Sequence, residues 1–140
     1  MQNVITKQSI SLSLAENTLK AAQQKALEIS VPMSISIVDE SGIDKSSVRM
    51  DGAALLSVEI ARNKAYTAVS FGMPTDGWFD FIKNDPPLLH GIVHTPRLVV
   101  FGGGYPIEID GAIVGGIGVS GGHYSQDMDV AQFALASIQK

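Results

Sequence analysis

Gly102-Gly103-Gly104-Tyr105-Pro106-Ile107-Glu108-Ile109-Asp110-Gly111-Ala112-Ile113-Val114-Gly115-Gly116-Ile117-Gly118-Val119-Ser120 is the stretch on which the fold turns. Two apolar-rich runs, Tyr105 to Ile109 and Ala112 to Val119, are joined only by Asp110-Gly111. That dipeptide between such runs is a type I′ hairpin signal, because both central residues of the turn need positive φ. A two-residue connection forces the strands antiparallel, whereas a parallel pair needs a long crossover. A further strand is expected from Leu98 to Phe101, upstream of the triple glycine.

The same pattern recurs nearer the N-terminus. Met33, Ile35 and Ile37 alternate with Ser34, Ser36 and Val38, Glu40-Ser41-Gly42 supplies a turn, and Ile43 to Met50 returns as the partner strand. Helices fill the remaining chain. One is expected to open at Ser13, capped reciprocally by Glu16, and to end near Ser30 before Pro32. A second carries Ala54, Val58, Ala61, Ala65, Ala68 and Val69 on a face of small side chains, with Lys64 at its margin. Thr75 caps a short helix through Trp78, Leu88 to Arg97 reads as an irregular binding loop, and a last helix runs from Gln126 to Ile138. Five strands and the helices beside them give an α+β fold, an antiparallel sheet covered by helices.

Composition narrows the classes of function. A chain of 140 residues is one domain by size, and residues 1–140 are assigned to it. The start has no signal-peptide pattern and no apolar stretch is long and unbroken enough for a membrane helix, so a cytoplasmic location is expected, with no membrane partner. Ten basic residues are scattered against fourteen acidic ones, which argues against a nucleic-acid partner. No cysteine is present, so thiolate chemistry and cysteine metal sites are excluded.

Nine of the fourteen glycines fall between residues 102 and 122. Either a ligand or another backbone approaches the sheet there, or the glycines serve bulges and helix-on-sheet packing. The candidate ligand-binding set is Arg49, Asp51, Lys64, Gly103, Gly104, Tyr105 and Ser120. Arg49 offers a bidentate grip on a carboxylate, and a desolvated Lys64 a point charge or an amine with lowered pKa. The plainer readings are an Arg49–Asp51 ion pair and a Lys64 whose stem alone is buried. His90, His94 and His123 are weak metal candidates, and His123 is read first as a helix-start residue.

Three blocks carry a family resemblance: Val38-Asp39-Glu40-Ser41-Gly42, then Arg49-Met50-Asp51-Gly52-Ala53, then Ala61-Arg62-Asn63-Lys64-Ala65-Tyr66-Thr67-Ala68. The second half continues it with Gly102-Gly103-Gly104-Tyr105-Pro106-Ile107, Asp110-Gly111, Val114-Gly115-Gly116-Ile117-Gly118-Val119-Ser120-Gly121 and Gln126-Asp127. In this order the blocks resemble the GlcG/HbpS-like family, which includes the PduO C-terminal domain. The resemblance implies a profilin-like α/β sandwich and assembly into homo-oligomers. It also implies a small-molecule-binding accessory role linked to glycolate-, diol- or cobalamin-dependent metabolism, with haem or another tetrapyrrole as the candidate ligand. Two alternatives stand beside it. One is an enzyme acting on a small carbonyl or enol metabolite with Lys64 or Asp51 as acid/base, the other a structural or sensor module without ligand.

Overall fold

The structure, a computed structural model, describes residues 1–139; Lys140, the last residue of the expected domain, lies outside the described residues. Helix α1 spans Leu12–Glu28. Its N-cap is Ser11 rather than Ser13: the Ser11 hydroxyl accepts from Leu14 N–H at 3.1 Å. The reason lies one residue upstream. Ile10 is buried and its N–H reaches Val114 O at 3.0 Å, so the chain is pinned before Ser11, and Ile10 sits at the position that staples against buried Ala15. Ser30 then takes a left-handed φ of 58°, and Val31 N–H returns to Ala26 O at 3.1 Å, closing the helix.

Strands β1 (Ser34–Asp39) and β2 (Asp44–Arg49) form the first hairpin, and β3 (Gly104–Ile109) and β4 (Ala112–Ser120) the second. Their order is β2-β1-β4-β3, antiparallel throughout, so the sheet has four strands and not five. Leu98 to Phe101 forms no strand. Val99 N–H is taken by the Thr67 hydroxyl at 3.0 Å, which ties this segment to a helix, and the chain joins the sheet only where Val119 N–H meets Gly103 O at 2.9 Å. In the Asp110-Gly111 turn both residues have positive φ, 51° and 82°, as a type I′ turn requires.

Helices cover both faces of the sheet. On one, α1 and α5 (Tyr124–Ala136) pack with Met33, Ile35, Ile37, Ile107, Ile117 and Val119 in the main core. On the other lies α2 (Ser57–Phe71), which ends at Gly72 with φ 65°. Strand β1 is buried along both faces because it lies between these layers, with Ser34, Ser36 and Val38 turned to α2. Beyond α2 come a 3₁₀ turn (Thr75–Gly77), α3 (Trp78–Ile82), α4 (Pro86–Gly91) and a second 3₁₀ turn (Ile92–His94). The expected irregular loop from Leu88 is therefore helical at its start, because Pro86 and Pro87 occupy first-turn positions where the missing N–H costs nothing. No helix among the described residues is long and apolar enough to cross a membrane.

Small residues draw α2 close to the sheet. A Cβ at Gly118 would collide with Ala61 O and lie 2.6 Å from Ala65 N, one at Gly116 would lie 2.8 Å from Ala65 O, and one at Gly104 would collide with Lys64 O. What approaches these bare strand positions is helix backbone, the packing alternative read from the sequence.

Candidate functional site

The register places Arg49, Ser34 and Ser120 side by side on β2, β1 and β4, with Gly103 next to Val119 on the far side. The end of the first hairpin and the glycine-rich stretch thus share one end of the sheet. They do not form one cavity. Arg49 is exposed and lines a hollow of about 130 Å³ with Ser34, Ser36, Ser47, Val58 and Arg62. Asp51 is exposed in the turn that follows, and no Arg49–Asp51 ion pair occurs among the described residues.

Lys64, Gly103, Gly104, Tyr105 and Ser120 are all buried. Lys64 is 0% exposed, head as well as stem. Its ammonium donates to Asp127 Oδ2 at 2.9 Å and to Val119 O at 2.8 Å, while Asp127 Oδ1 accepts from Gly122 N–H at 3.0 Å. Burial pushes the Lys64 pKa down and the Asp127 pKa up, each opposed by the charge of the other. Asp127 lies in the first turn of α5, where the helix dipole favours a carboxylate. Gly103 adopts φ 124°, and a Cβ there would lie 2.6 Å from Lys64 Nζ, so the glycine makes room for the ammonium. Tyr105 is buried with no hydrogen-bond partner for its hydroxyl, and burial with Asp76 nearby pushes its pKa up to about 12.

Above this pair lies a cleft of about 480 Å³, lined by Asp76, Phe79, Asp80, Val100, Phe101, Gly102 and Tyr124. The Phe101 ring forms the partition, its centroid 5.1 Å from Lys64 Nζ. Phe79, Phe101 and Tyr124 are 57%, 43% and 48% exposed, so three aromatic rings meet solvent around the cleft, while the bare side of Gly102 is filled by Met128 of α5. Such a cleft suits a flat, largely apolar ligand. The Lys64 ammonium is buried beside the Phe101 ring, with two of its three N–H groups bonded to Asp127 and Val119 O.

His123 is the N-cap of α5, as read from the sequence. Its Nδ1 accepts from Ser125 N–H at 3.1 Å, so the neutral ring carries its proton on Nε2, the tautomer without a free lone pair there. Its ring lies 4.1 Å from that of Tyr124. His90 and His94 are exposed on α4 and the following 3₁₀ turn, outside the cleft. No group of three or more His, Cys, Asp or Glu side chains with metal-holding geometry occurs among the described residues.

A family model described as haem degrading protein HbpS-like matches residues 10–136. The chain belongs to the HbpS-like family. Among the relatives of this HbpS-like chain is the corrinoid adenosyltransferase PduO of Salmonella typhimurium, 41% identical over 120 residues, which cover 85% of the chain and 36% of PduO. The chain therefore spans about a third of that protein's length. A crystal structure of a PduOC:heme complex superposes with a TM-score of 0.86 at 38% identity, covering 94% of this chain and 96% of that one. A double mutant of HbpS from Streptomyces reticuli superposes with a TM-score of 0.88 at 28% identity, covering 100% and 94%.

Sequence reasoning placed Lys64 at a sheltered helix margin but missed its partner, which is 63 residues away. It also missed Phe79, Phe101 and Tyr124 as a group.

Proposed function

We propose that this HbpS-like chain is a single accessory domain that binds haem or a closely related carboxylate-bearing tetrapyrrole in the cleft between Phe79, Phe101 and Tyr124. One observation carries the reading: three half-exposed aromatic rings line one cleft, in a chain 38% identical to one crystallised with haem. The residues fit the apolar part of such a ligand. Phe79 and Phe101 would cover the macrocycle, and the Tyr124 phenol is an oxygen donor of a kind haem iron accepts. Asp76 and Asp80 repel carboxylates, so the propionates would point away from their side of the cleft. Bound haem would supply a redox-active iron; the chain's own residues would orient the ring.

The exposed Phe71, at the end of α2, and Phe81, within α3, pack edge-on against Trp78, at 4.9 and 5.9 Å between ring centroids. A second copy of the chain is the partner proposed for this apolar margin, in line with homo-oligomer assembly. A diol- or cobalamin-linked pathway is the metabolic setting proposed, from the likeness to PduO.

Haemin titration followed at the Soret band tests the binding. A saturable shift is expected, weakened roughly tenfold or more in Phe101→Ala, since a buried aromatic contact contributes on this scale. Tyr124→Phe is expected to move the Soret maximum while the ring still binds. A linear response equal to that of free haemin would contradict the proposal.

A further inference from the structure

Arg97 has φ 68°, in the left-handed region that non-glycine residues rarely occupy. Such a conformation persists where its surroundings enforce it, and it clusters at binding sites. Here the enforcing group is Thr67 of α2, 1% exposed. Its hydroxyl donates to Arg97 O at 2.8 Å and accepts from Val99 N–H at 3.0 Å, clasping the loop on both sides of Leu98.

The clasp sends the Arg97 side chain back over α2. Its guanidinium carbon lies 3.6 Å from the Tyr66 ring centroid, and Nε donates to Asn63 Oδ1 at 3.2 Å. Stacking and the single Nε bond fix the plane of the guanidinium, leaving the Nη1/Nη2 fork without a protein acceptor among the described residues. No carboxylate pairs with it there either. Beside it is a cavity of about 270 Å³, walled by Tyr66, Thr67, Phe71, Pro96, Arg97 and Leu98. Two of the nearby hydroxyls are already engaged, Thr67 by the clasp and Ser70 by Tyr66 O at 2.6 Å.

We propose that this cavity is a second binding site, separate from the aromatic cleft, for a small organic monocarboxylate. The Arg97 fork takes the carboxylate end-on and Phe71, Pro96 and Leu98 enclose a short apolar body. One cation matches a single negative charge, and the apolar walls distinguish the ligand from inorganic phosphate. The site shares no lining residue with the cleft proposed for tetrapyrrole, so either can fail without the other.

The test is a titration of the full ¹⁵N-labelled chain with sodium butyrate, with butanamide and inorganic phosphate as comparators. Saturable shifts are expected at the amides of Tyr66, Arg97 and Val99 and at the Arg97 Nε–H. Butanamide should leave these signals in place. Arg97→Gln should weaken butyrate roughly tenfold or more, and Arg97→Lys by less, because lysine keeps the charge but loses the fork. Asn63→Ala, which leaves the Thr67 clasp intact, should weaken it several-fold and carries the test if Arg97→Gln disturbs the loop. The proposal is overturned if butyrate gives no saturable shift, if Arg97→Gln and Asn63→Ala both bind like wild type, or if butanamide binds equally well. Phosphate binding more tightly than butyrate would overturn the ligand class.

Discussion

Asp127→Ala is expected to lower the unfolding free energy by about 3–5 kcal/mol, the range found when one partner of a buried ion pair is removed. Lys64 and Asp127 have side chains 0% and 3% exposed and meet at 2.9 Å, so the substitution leaves an ammonium with only Val119 O and the face of Phe101 for company. Asp127 also holds Gly122 N–H, and its loss frees the turn between β4 and α5. Urea unfolding should show a lower midpoint with an unchanged slope. Replacing both partners with apolar residues of similar size, Lys64→Met with Asp127→Leu, should restore most of the loss, since no charge is then left unpaired. The pH dependence has a definite sign. With its pKa below the ordinary 10.5, Lys64 binds its proton less readily folded than unfolded. The Asp127→Ala protein should therefore recover stability as pH rises from the lowered Lys64 pKa toward 10.5.

Gly118→Ala is the second large effect expected, a loss of about 3 kcal/mol, at the upper end of the range for overpacking. The added Cβ would run into Ala61 O and lie within 2.6 Å of Ala65 N, and both are backbone atoms of α2 that no rotamer change can move aside. Either the helix lifts from the sheet or the variant does not fold. Gly91→Ala is the control: nothing lies within 4 Å of its Cβ position, so thermal unfolding should stay close to wild type or improve slightly.

Much of the architecture was legible because its signals are local. Asp110-Gly111 announced its turn through the backbone conformations that only such residues adopt readily, and the serine-interrupted alternation of Met33 to Val38 announced a strand. Leu98 to Phe101 misled for the opposite reason. Its side chains are those of a strand, but its fate was decided by Thr67, thirty-two residues from Val99, whose hydroxyl offered the backbone another partner. The cap of α1 was misplaced by two residues because Ser11 and Ser13 are chemically equivalent, and only the pairing of Ile10 with Val114 chooses between them. Of the residues the sequence singled out, Arg49 and Ser120 lie at one end of the sheet on either side of Ser34, but they share no cavity. The sequence left open what approached the glycines: at Gly104, Gly116 and Gly118 it is α2, while at Gly102 it is the Met128 side chain of α5. The Lys64–Asp127 pair and the clasp on Arg97 join distant residues whose spacing carries no local pattern.

The aromatic cleft is the proposed seat of the tetrapyrrole. Gallium(III) protoporphyrin, a diamagnetic stand-in for haem, allows that place to be mapped by ¹⁵N spectra of the whole chain. The largest shifts are expected at Phe79, Val100, Gly102 and Tyr124, which line the cleft. Shifts confined to the hollow of Ser34, Ser47 and Arg49, or a spectrum unmoved at saturating porphyrin, would contradict it.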